Sequence, residues 1–470
     1  MKHLALSSLC ALLLAACAVG PDYERPALTK PEGWRSGSAL PASEKPEELA
    51  NLAWWNQLED PVLDALVAEA LANNRDLKIA AARIDEAAGV LGTTRAQLFP
   101  QFGASLSGSR AQASNAGATP IPVTVDRVNS QYSAALNVGW EIDLFGRIRR
   151  ATEASRADLL STEESRRGVA LSLAATVANS YISLRDLDAE LDIARQTLKT
   201  REESLRIFEL RYKGGVVSEM EVAQVRSEME AARIAVSNLE LSVAQQENAI
   251  SALLGRLPGP LPRGKTLATM GLPLPPVSLP STVLERRPDI RQAEQNLIAN
   301  NARIGVAKAA YFPTVSLTGL LGSSSVAFSN LLTGPAKVWS YGADLTMPIF
   351  TAGAITGQVK SAEARQVQAL EQYRKAVENA FREVDDALIG GTKSREAVDS
   401  RIRQVEALTI YARSARLRYE GGYSSFLEVL DAERSLFQAQ IYESQARGQA
   451  LIAVTTLYKV LGGGWQAASE

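Results

Sequence analysis

Hydrophobic and polar positions along this chain follow two periods, and each period occurs twice. From Arg147 to Tyr212 there is no proline and a single glycine, Gly168, and Ala354 to Tyr419 is a second proline-free stretch of equal length. At the α-helical rise each predicts a helix about 100 Å long. Heptad spacing supports coiled packing. Val222, Val225, Met229, Ala232, Val236, Leu239 and Val243 alternate steps of three and four, continue to Ile250 and Leu253, and break once at Gln246. Leu184, Leu187, Leu191, Ala194 and Leu198 obey the same rule, as do Val377, Phe381, Val384 and Leu388. A sustained 3.5-residue period predicts left-handed supercoiling, and the many Ala and Val knobs favour close helical sheets.

The second period is two. Phe102, Ala104 and Leu106 rise from Pro100, and Tyr132, Ala134, Leu136, Val138 and Trp140 alternate with polar or small residues. Val315, Leu317 and Leu321 rise from Pro313, and Trp339, Tyr341, Ala343, Leu345 and Met347 alternate likewise. About ten residues of strict alternation fit a membrane-spanning strand with one apolar and one polar face. A half-buried soluble hairpin has the same pattern. Trp140 and Trp339 suit either an interfacial aromatic belt or core packing.

Landmarks recur in order. Asp76 and Asp289, and Pro100 and Pro313, are offset by 213 residues. Arg211-Tyr212-Lys213-Gly214-Gly215 matches Arg418-Tyr419-Glu420-Gly421-Gly422 at an offset of 207, and Leu254-Gly255 matches Leu461-Gly462 at that same offset. The chain therefore reads as an internal duplication. A first repeat covers 61–256, with strands at about 101–111 and 131–142 and long helices at about 147–212 and 217–255. A Pro-rich linker covers 257–280. The second repeat covers 281–462, with strands at about 313–322 and 338–349 and long helices at about 354–419 and 424–461. Residues 463–470 form a tail. The paired glycines are hairpin punctuation, because glycine just past a helix end takes the left-handed conformation freely. Arg286-Arg287 before Pro288-Asp289 reads as a structural helix start.

The N-terminus changes the picture. A basic start, an apolar run from Leu4 to Leu14 and small residues before Cys17 have the shape of a secretory signal over 1–16, followed by an anchor and extended segment over 17–60. Leu14-Ala15-Ala16-Cys17 resembles a bacterial lipoprotein box, with Cys17 acylated and Ala18 favouring the outer membrane. Removing 1–16 takes away His3, the chain's one histidine, and one of its two cysteines. Imidazole bases, Cys–His nucleophiles and His/Cys metal sites are then excluded, so no catalytic or metal site and no cofactor beyond the lipid on Cys17 is expected. The formal net charge of −2 carries no nucleic-acid footprint. No segment approaches a spanning helix, so crossing a membrane requires a closed β-barrel. Four strands cannot close one. Three chains would supply twelve, although nothing in the sequence fixes three.

Several motifs in order carry a resemblance: Cys17-Ala18-Val19-Gly20-Pro21-Asp22-Tyr23, Leu284-Glu285-Arg286-Arg287-Pro288-Asp289-Ile290, Phe312-Pro313, Phe426-Leu427-Glu428-Val429-Leu430-Asp431-Ala432 and Leu461-Gly462-Gly463-Gly464-Trp465. Across almost the whole mature chain they resemble the outer membrane factor family, in particular the TolC/OprM-like, NodT-type lipoproteins of RND efflux systems. The resemblance implies a mainly α fold with transmembrane β. It further implies a homotrimer whose twelve-stranded outer-membrane β-barrel continues as a long α-helical periplasmic barrel. A membrane-fusion adaptor would meet the hairpin tips and link them to an inner-membrane RND transporter.

Leu427, Asp431, Arg434 and Gln438 share one helical stripe, distinct from the apolar stripe Val429, Ala432, Leu436 and Ala439. Resemblance matches the family's constriction to Leu427 and Asp431, with Glu428 beside them. Asp431 is expected to lack a partner and to form a carboxylate ring that adaptor docking opens. Alternatively, Glu428 and Asp431 are solvated helix-start carboxylates. The tips Arg211, Tyr212, Gly214, Gly215, Arg418, Tyr419, Gly421 and Gly422 are candidate adaptor contacts. Rival functions are a coiled-coil scaffold, which leaves the amphipathic strands unexplained, and the same duct serving type I protein secretion with an ABC exporter.

Overall fold

The computed structural model describes residues 18–28, 33–35, 53–114, 126–271, 283 and 285–463. Cys17 and the tail from 464 lie outside the described residues. Along the chain run α1 (Pro61–Asn73), α2 (Arg75–Ala96), β1 (Gln101–Gln112), β2 (Val128–Ile142), α3 (Arg147–Lys213) and α4 (Glu219–Leu253). Then follow α5 (Pro288–Ala309), β3 (Thr314–Ser325), β4 (Lys337–Thr346), α6 (Ala354–Glu420) and α7 (Phe426–Val460). Lengths repeat between the halves: 22 residues in α2 and α5, 67 in α3 and α6, and 35 in α4 and α7. Among the described residues no helix is long and apolar enough to cross a membrane. Two compact units emerge, one of residues 1–27, 83–162 and 293–373, the other of 28–82, 163–292 and 374–470.

The first unit holds an antiparallel sheet in the order β1-β2-β3-β4. Phe102 faces Val138, Leu136 faces Leu321 and Leu317 faces Ala343, so the apolar positions of all four strands lie on one face. That face is uncovered, with Phe102 80 %, Tyr341 82 % and Trp339 70 % exposed. The opposite face is polar and cross-linked by Ser107 Oγ to Ser133 Oγ (2.7 Å) and Asn137 Nδ2 donating to Ser105 Oγ (3.1 Å). The two tryptophans divide. Trp140 Nε1 donates to the Leu98 carbonyl at the end of α2, whereas Trp339 stacks on Tyr341 in the open. β4 ends at Thr346, three residues short of the sequence expectation, because β3 offers no partner beyond Thr314.

An extended segment from Ala18 is strapped to this unit. Val19 N donates to the Phe145 carbonyl, buried Arg150 binds Asp22 at 2.7 Å, Asn301 Nδ2 donates to the Pro21 carbonyl, and Tyr23 OH donates to Glu294. Gly20 and Gly305 let the backbones touch: a Cβ on Gly20 would sit 2.5 Å from Gly305 Cα.

In the second unit the core gathers Trp54, Leu63, Val67, Tyr181, Ile182, Leu184, Ile250, Leu254 and Leu451. Leu261, Leu267 and Met270 join it, so the described part of the Pro-rich linker is packed onto the helices. Gln246, the polar break in the heptads, donates to the Ser180 carbonyl (2.8 Å), which satisfies it inside the seam. Arg287 is a buried clasp, bonded to Asp289 and Glu383 and donating to the Val460 carbonyl.

Asp60 is a polar hub of this core. Fully buried, its carboxylate caps α1 by accepting from Val62 N and Leu63 N, and also accepts from Tyr181 OH (3.0 Å) and Lys265 N (2.9 Å). Burial first, then this carboxylate, pushes the Tyr181 phenol up to about 12. An Asp60→Ala variant loses a helix cap and strands two buried donors, so it should be less stable by roughly 2–4 kcal/mol. Thermal unfolding of the detergent-solubilised protein followed by circular dichroism checks this, and an unchanged midpoint would show that the cluster holds nothing together.

Candidate functional site

Both hairpin tips close by the same backbone geometry. α3 ends at Lys213, and Gly215 takes φ 72°, which lets Val216 N donate to the Arg211 carbonyl and Gly215 N to the Tyr212 carbonyl. α6 ends at Glu420, Gly422 takes φ 78°, and Tyr423 N and Gly422 N donate to the Arg418 and Tyr419 carbonyls. These are Schellman caps, and the left-handed residue is the second glycine of each pair. Gly214 and Gly421 are the last turn before it.

The side chains around the two tips then differ. Tyr419 turns inward onto an aromatic cluster in which Phe208 and Phe426 lie 4.3 Å apart by ring centroid and Tyr419 and Phe426 5.1 Å. Arg211, from the other hairpin, donates to Tyr419 OH (3.1 Å) and lies over the Phe208 ring. Arg211 and Tyr419 are thus engaged with each other, while Tyr212 is exposed and Arg418 reaches across to Glu428. Leu210, Val216, Met220, Leu417, Tyr423 and Leu427 are exposed apolar groups around the same tips.

The start of α4 is locked by a reciprocal capping box: Glu221 N donates to Ser218 Oγ, and Ser218 N donates to Glu221 Oε2 at 2.7 Å. At the same position before α7, Ser425 makes no side-chain cap bond. The equivalent carboxylate, Glu428, is drawn instead to Arg418 on α6 (3.4 Å).

Leu427 is 58 % exposed and Asp431 lies on the same outward stripe, while Val429, Ala432 and Ala439 are buried against the neighbouring helices. Asp431 was expected to have no partner, and that is corrected: Tyr411 OH on α6 donates to its Oδ2 at 3.4 Å. Burial, then Asp431 and Glu428, pushes the Tyr411 phenol upward. Arg434, on the same stripe, pairs with Glu228 of α4, which also holds Arg201 of α3 at 3.0 Å. Arg201 is almost buried, and that burial lowers its affinity for a proton while Glu228 opposes it. Arg416 and Glu433 add a further α6–α7 pair. A cavity of about 420 Å³ beside these groups is lined by Thr197, Arg201, Arg413, Arg416, Glu433 and Phe437.

Tyr411, Glu228 and Arg201 escaped sequence reading, since the partner of each lies on another helix and no local motif marks it. The Ser218–Glu221 box was readable from its spacing. Among the described residues no group of three or more His, Cys, Asp or Glu could hold a metal ion. The arrangement can hold helices together or let them part, and it offers no nucleophile–base pair.

Long matches to known proteins accompany this geometry. A family model described as outer membrane efflux protein matches residues 66–256 and again 279–463. The chain is 36 % identical to a probable efflux pump outer membrane protein, TtgC, of Pseudomonas putida, over 99 % of this chain and 96 % of that one. It is 35 % identical to the cation efflux system protein CusC of Escherichia coli, over 97 % of each. The Campylobacter jejuni CmeC outer membrane channel, a solved structure, aligns with a TM-score of 0.89 at 26 % identity, covering 97 % of this chain and 96 % of that one.

Glu228→Gln would leave buried Arg201 without its ion-pair partner and release Arg434. Amide exchange over α7 should quicken at least tenfold, about 1.4 kcal/mol of lost local stability. Mass-spectrometric hydrogen exchange checks this, and an unchanged α7 would show that Glu228 does not tie the two hairpins.

Proposed function

The chain belongs to the outer membrane efflux protein family, and from that premise we propose that it forms the passive exit duct of a tripartite pump for small molecules. As a member it is an outer-membrane channel component of efflux pumps, a transporter and not an enzyme. The observation that carries the duct reading is the uncovered apolar face of the sheet, joined directly to helices of 67 residues. A face of that size has no place in water. Lipid covers it, on condition that the sheet closes.

In this reading three copies contribute four strands each to a twelve-stranded barrel, and the long helices continue the channel into the periplasm. The double family match and the repeated element lengths support an internal duplication. Cys17 carries the lipid. An adaptor meets the hairpin tips through the exposed Leu210, Tyr212, Val216, Leu417, Arg418 and Tyr423, and an inner-membrane RND transporter feeds the channel. Leu427, Glu428 and Asp431 form the constriction, released when docking parts α6 and α7. Relatives named for toluene, antibiotic and cation efflux favour drugs, solvents or metals as cargo. Nothing in those names speaks for protein secretion.

Deleting the gene should sensitise cells to the cargo class, read by growth against a panel of solvents, antibiotics and metal salts. For the gate, Leu427→Ala and Asp431→Arg should each raise single-channel conductance of the purified protein in planar bilayers. Unchanged conductance in both would remove the constriction from these residues.

A further inference from the structure

The two hairpins of the sheet share one register. Shifting β1 by 213 residues and β2 by 207 turns Gln101↔Gly139 into Thr314↔Thr346, so the rungs of the second hairpin repeat those of the first. On the apolar face the paired rungs change character in the same order. Phe102↔Val138 and Val315↔Leu345, near the helices, are apolar. Further out, Gly108↔Tyr132 and Leu321↔Trp339 each hold one aromatic ring. One same-face step beyond them, Arg110↔Ser130 and Ser323↔Lys337 each set a single cation across from a serine. Between the halves the cation changes identity and strand, yet the chemistry of the rung is kept.

The charges of the strands are sorted by face. Parity puts Arg110 and Lys337 on the apolar face and Glu141 and Asp344 on the polar one. Glu141 is bonded to Arg147 at 2.8 Å. Arg110 and Lys337 are exposed and have no ion-pair partner among the described residues, and Asp126, just before β2, pairs with neither. A lone cation on a lipid-facing surface is costly at mid-bilayer and tolerated at the interface. The depth agrees with an interface. Arg110 lies eight residues beyond Phe102, and Lys337 eight beyond Leu345. That is roughly 26 Å of strand, and about 20 Å of depth at a tilt of about 40°, most of an apolar band about 25 Å tall. Tyr132 and Trp339, one step below, stand where an aromatic girdle marks the edge of such a band. The side is also fixed. α3 and α6 follow the other ends of β2 and β4, and a Cβ on Gly146 at that end would sit 2.9 Å from Ala18 of the N-terminal strap. The cation rungs therefore belong to the leaflet away from the helices.

We propose that Arg110 and Lys337 bind the phosphate groups of the glycolipid that forms the external leaflet, with Ser130 and Ser323 as second donors. A guanidinium holds a phosphate through two parallel hydrogen bonds, and an ammonium holds it as a point charge. Anionic headgroups draw such side chains when they stand at the membrane surface. A phosphorylated glucosamine headgroup above acyl chains offers both halves of what each hairpin presents, a negative charge for the cation rung and hydrocarbon for the aromatic and aliphatic rungs below. The phosphate of a phospholipid has the same charge. The position of the rungs selects the glycolipid, because phospholipid fills the leaflet on the helix side.

The inference rests on the duct reading and adds a lipid to it. Full-length protein, purified in detergent and stripped of lipid, can be titrated with three probes and the complexes counted by native mass spectrometry. The probes are diphosphorylated outer-membrane glycolipid, the same glycolipid after enzymatic removal of its phosphates, and phosphatidylglycerol. The diphosphorylated form should bind at least tenfold tighter than either of the others. R110Q combined with K337Q should erase that difference, and R110K combined with K337R should keep it. Equal binding of the phosphorylated and dephosphorylated forms by the unaltered protein, or an undiminished difference in the glutamine variant, would overturn the site. Phosphatidylglycerol bound as tightly as the glycolipid would overturn the glycolipid as occupant. Planar-bilayer conductance of the glutamine variant should equal that of the unaltered protein, which separates a lost lipid from a lost fold. Failure of the duct reading would show differently, as unaltered protein that neither inserts nor conducts.

Discussion

A strand has two faces and a period of two, so register decides where every side chain points. In this sheet the constraint acts four times in succession. Phe102, Leu136, Leu321 and Trp339 share a face only because each hairpin and the β2–β3 pairing keep parity. The outcome is a surface that water would expel and a polar surface with its own hydrogen bonds. Once that surface is given to lipid, the edges become the remaining problem, because unpaired backbone groups in hydrocarbon cost several kcal/mol each. Beside the strands, an N-terminal strap is pinned by Arg150 and Glu294, and Gly20 and Gly305 let backbones touch.

The long helices solve a different problem, that of being long without being fat. Their seams are built from Ala, Val and Ser more than Leu, and the polar break Gln246 is satisfied within the seam by the Ser180 carbonyl. Stability is concentrated where many elements meet. Asp60 joins α1, Tyr181 and the linker, and Arg287 joins the start of α5 to α6 and the end of α7. Towards the tips a smaller apolar cluster around Phe208, Phe426 and Val429 holds the two hairpins together, and the ion pairs Arg418–Glu428 and Arg416–Glu433 around it are each worth little alone.

Much of the fold was legible in the sequence for a physical reason. Period two, period 3.5, proline stops and glycine caps are local, and local rules leave marks within a few residues. The starts of α3 at Arg147 and α6 at Ala354 were visible this way. The end of β4 was not, because a strand's length depends on its neighbour, and β3 runs out at Thr314. The candidate site was half legible. Spacing places Leu427 and Asp431 on one helical stripe, and resemblance alone singles that stripe out as a constriction. Tyr411, Glu228 and Arg201 are marked by neither, since each acts on a residue elsewhere in the chain and has no motif of its own.

The halves agree in their strands, helix starts and tip turns and differ in how the return helix begins. Strand registers and helix starts obey the same offsets, and both tips have the same Schellman cap. The capping box does not repeat. Glu221 closes the start of α4 on itself, whereas Glu428, at the equivalent position, is given up to Arg418 on the neighbouring helix. One carboxylate cannot serve both partners. A Glu428 released from Arg418 would be free to close the Ser425 cap as Glu221 closes Ser218, so the two bonds compete for one carboxylate. A capping box and an exposed ion pair are each worth about 1 kcal/mol or less. An exchange between terms of such similar size favours neither arrangement strongly.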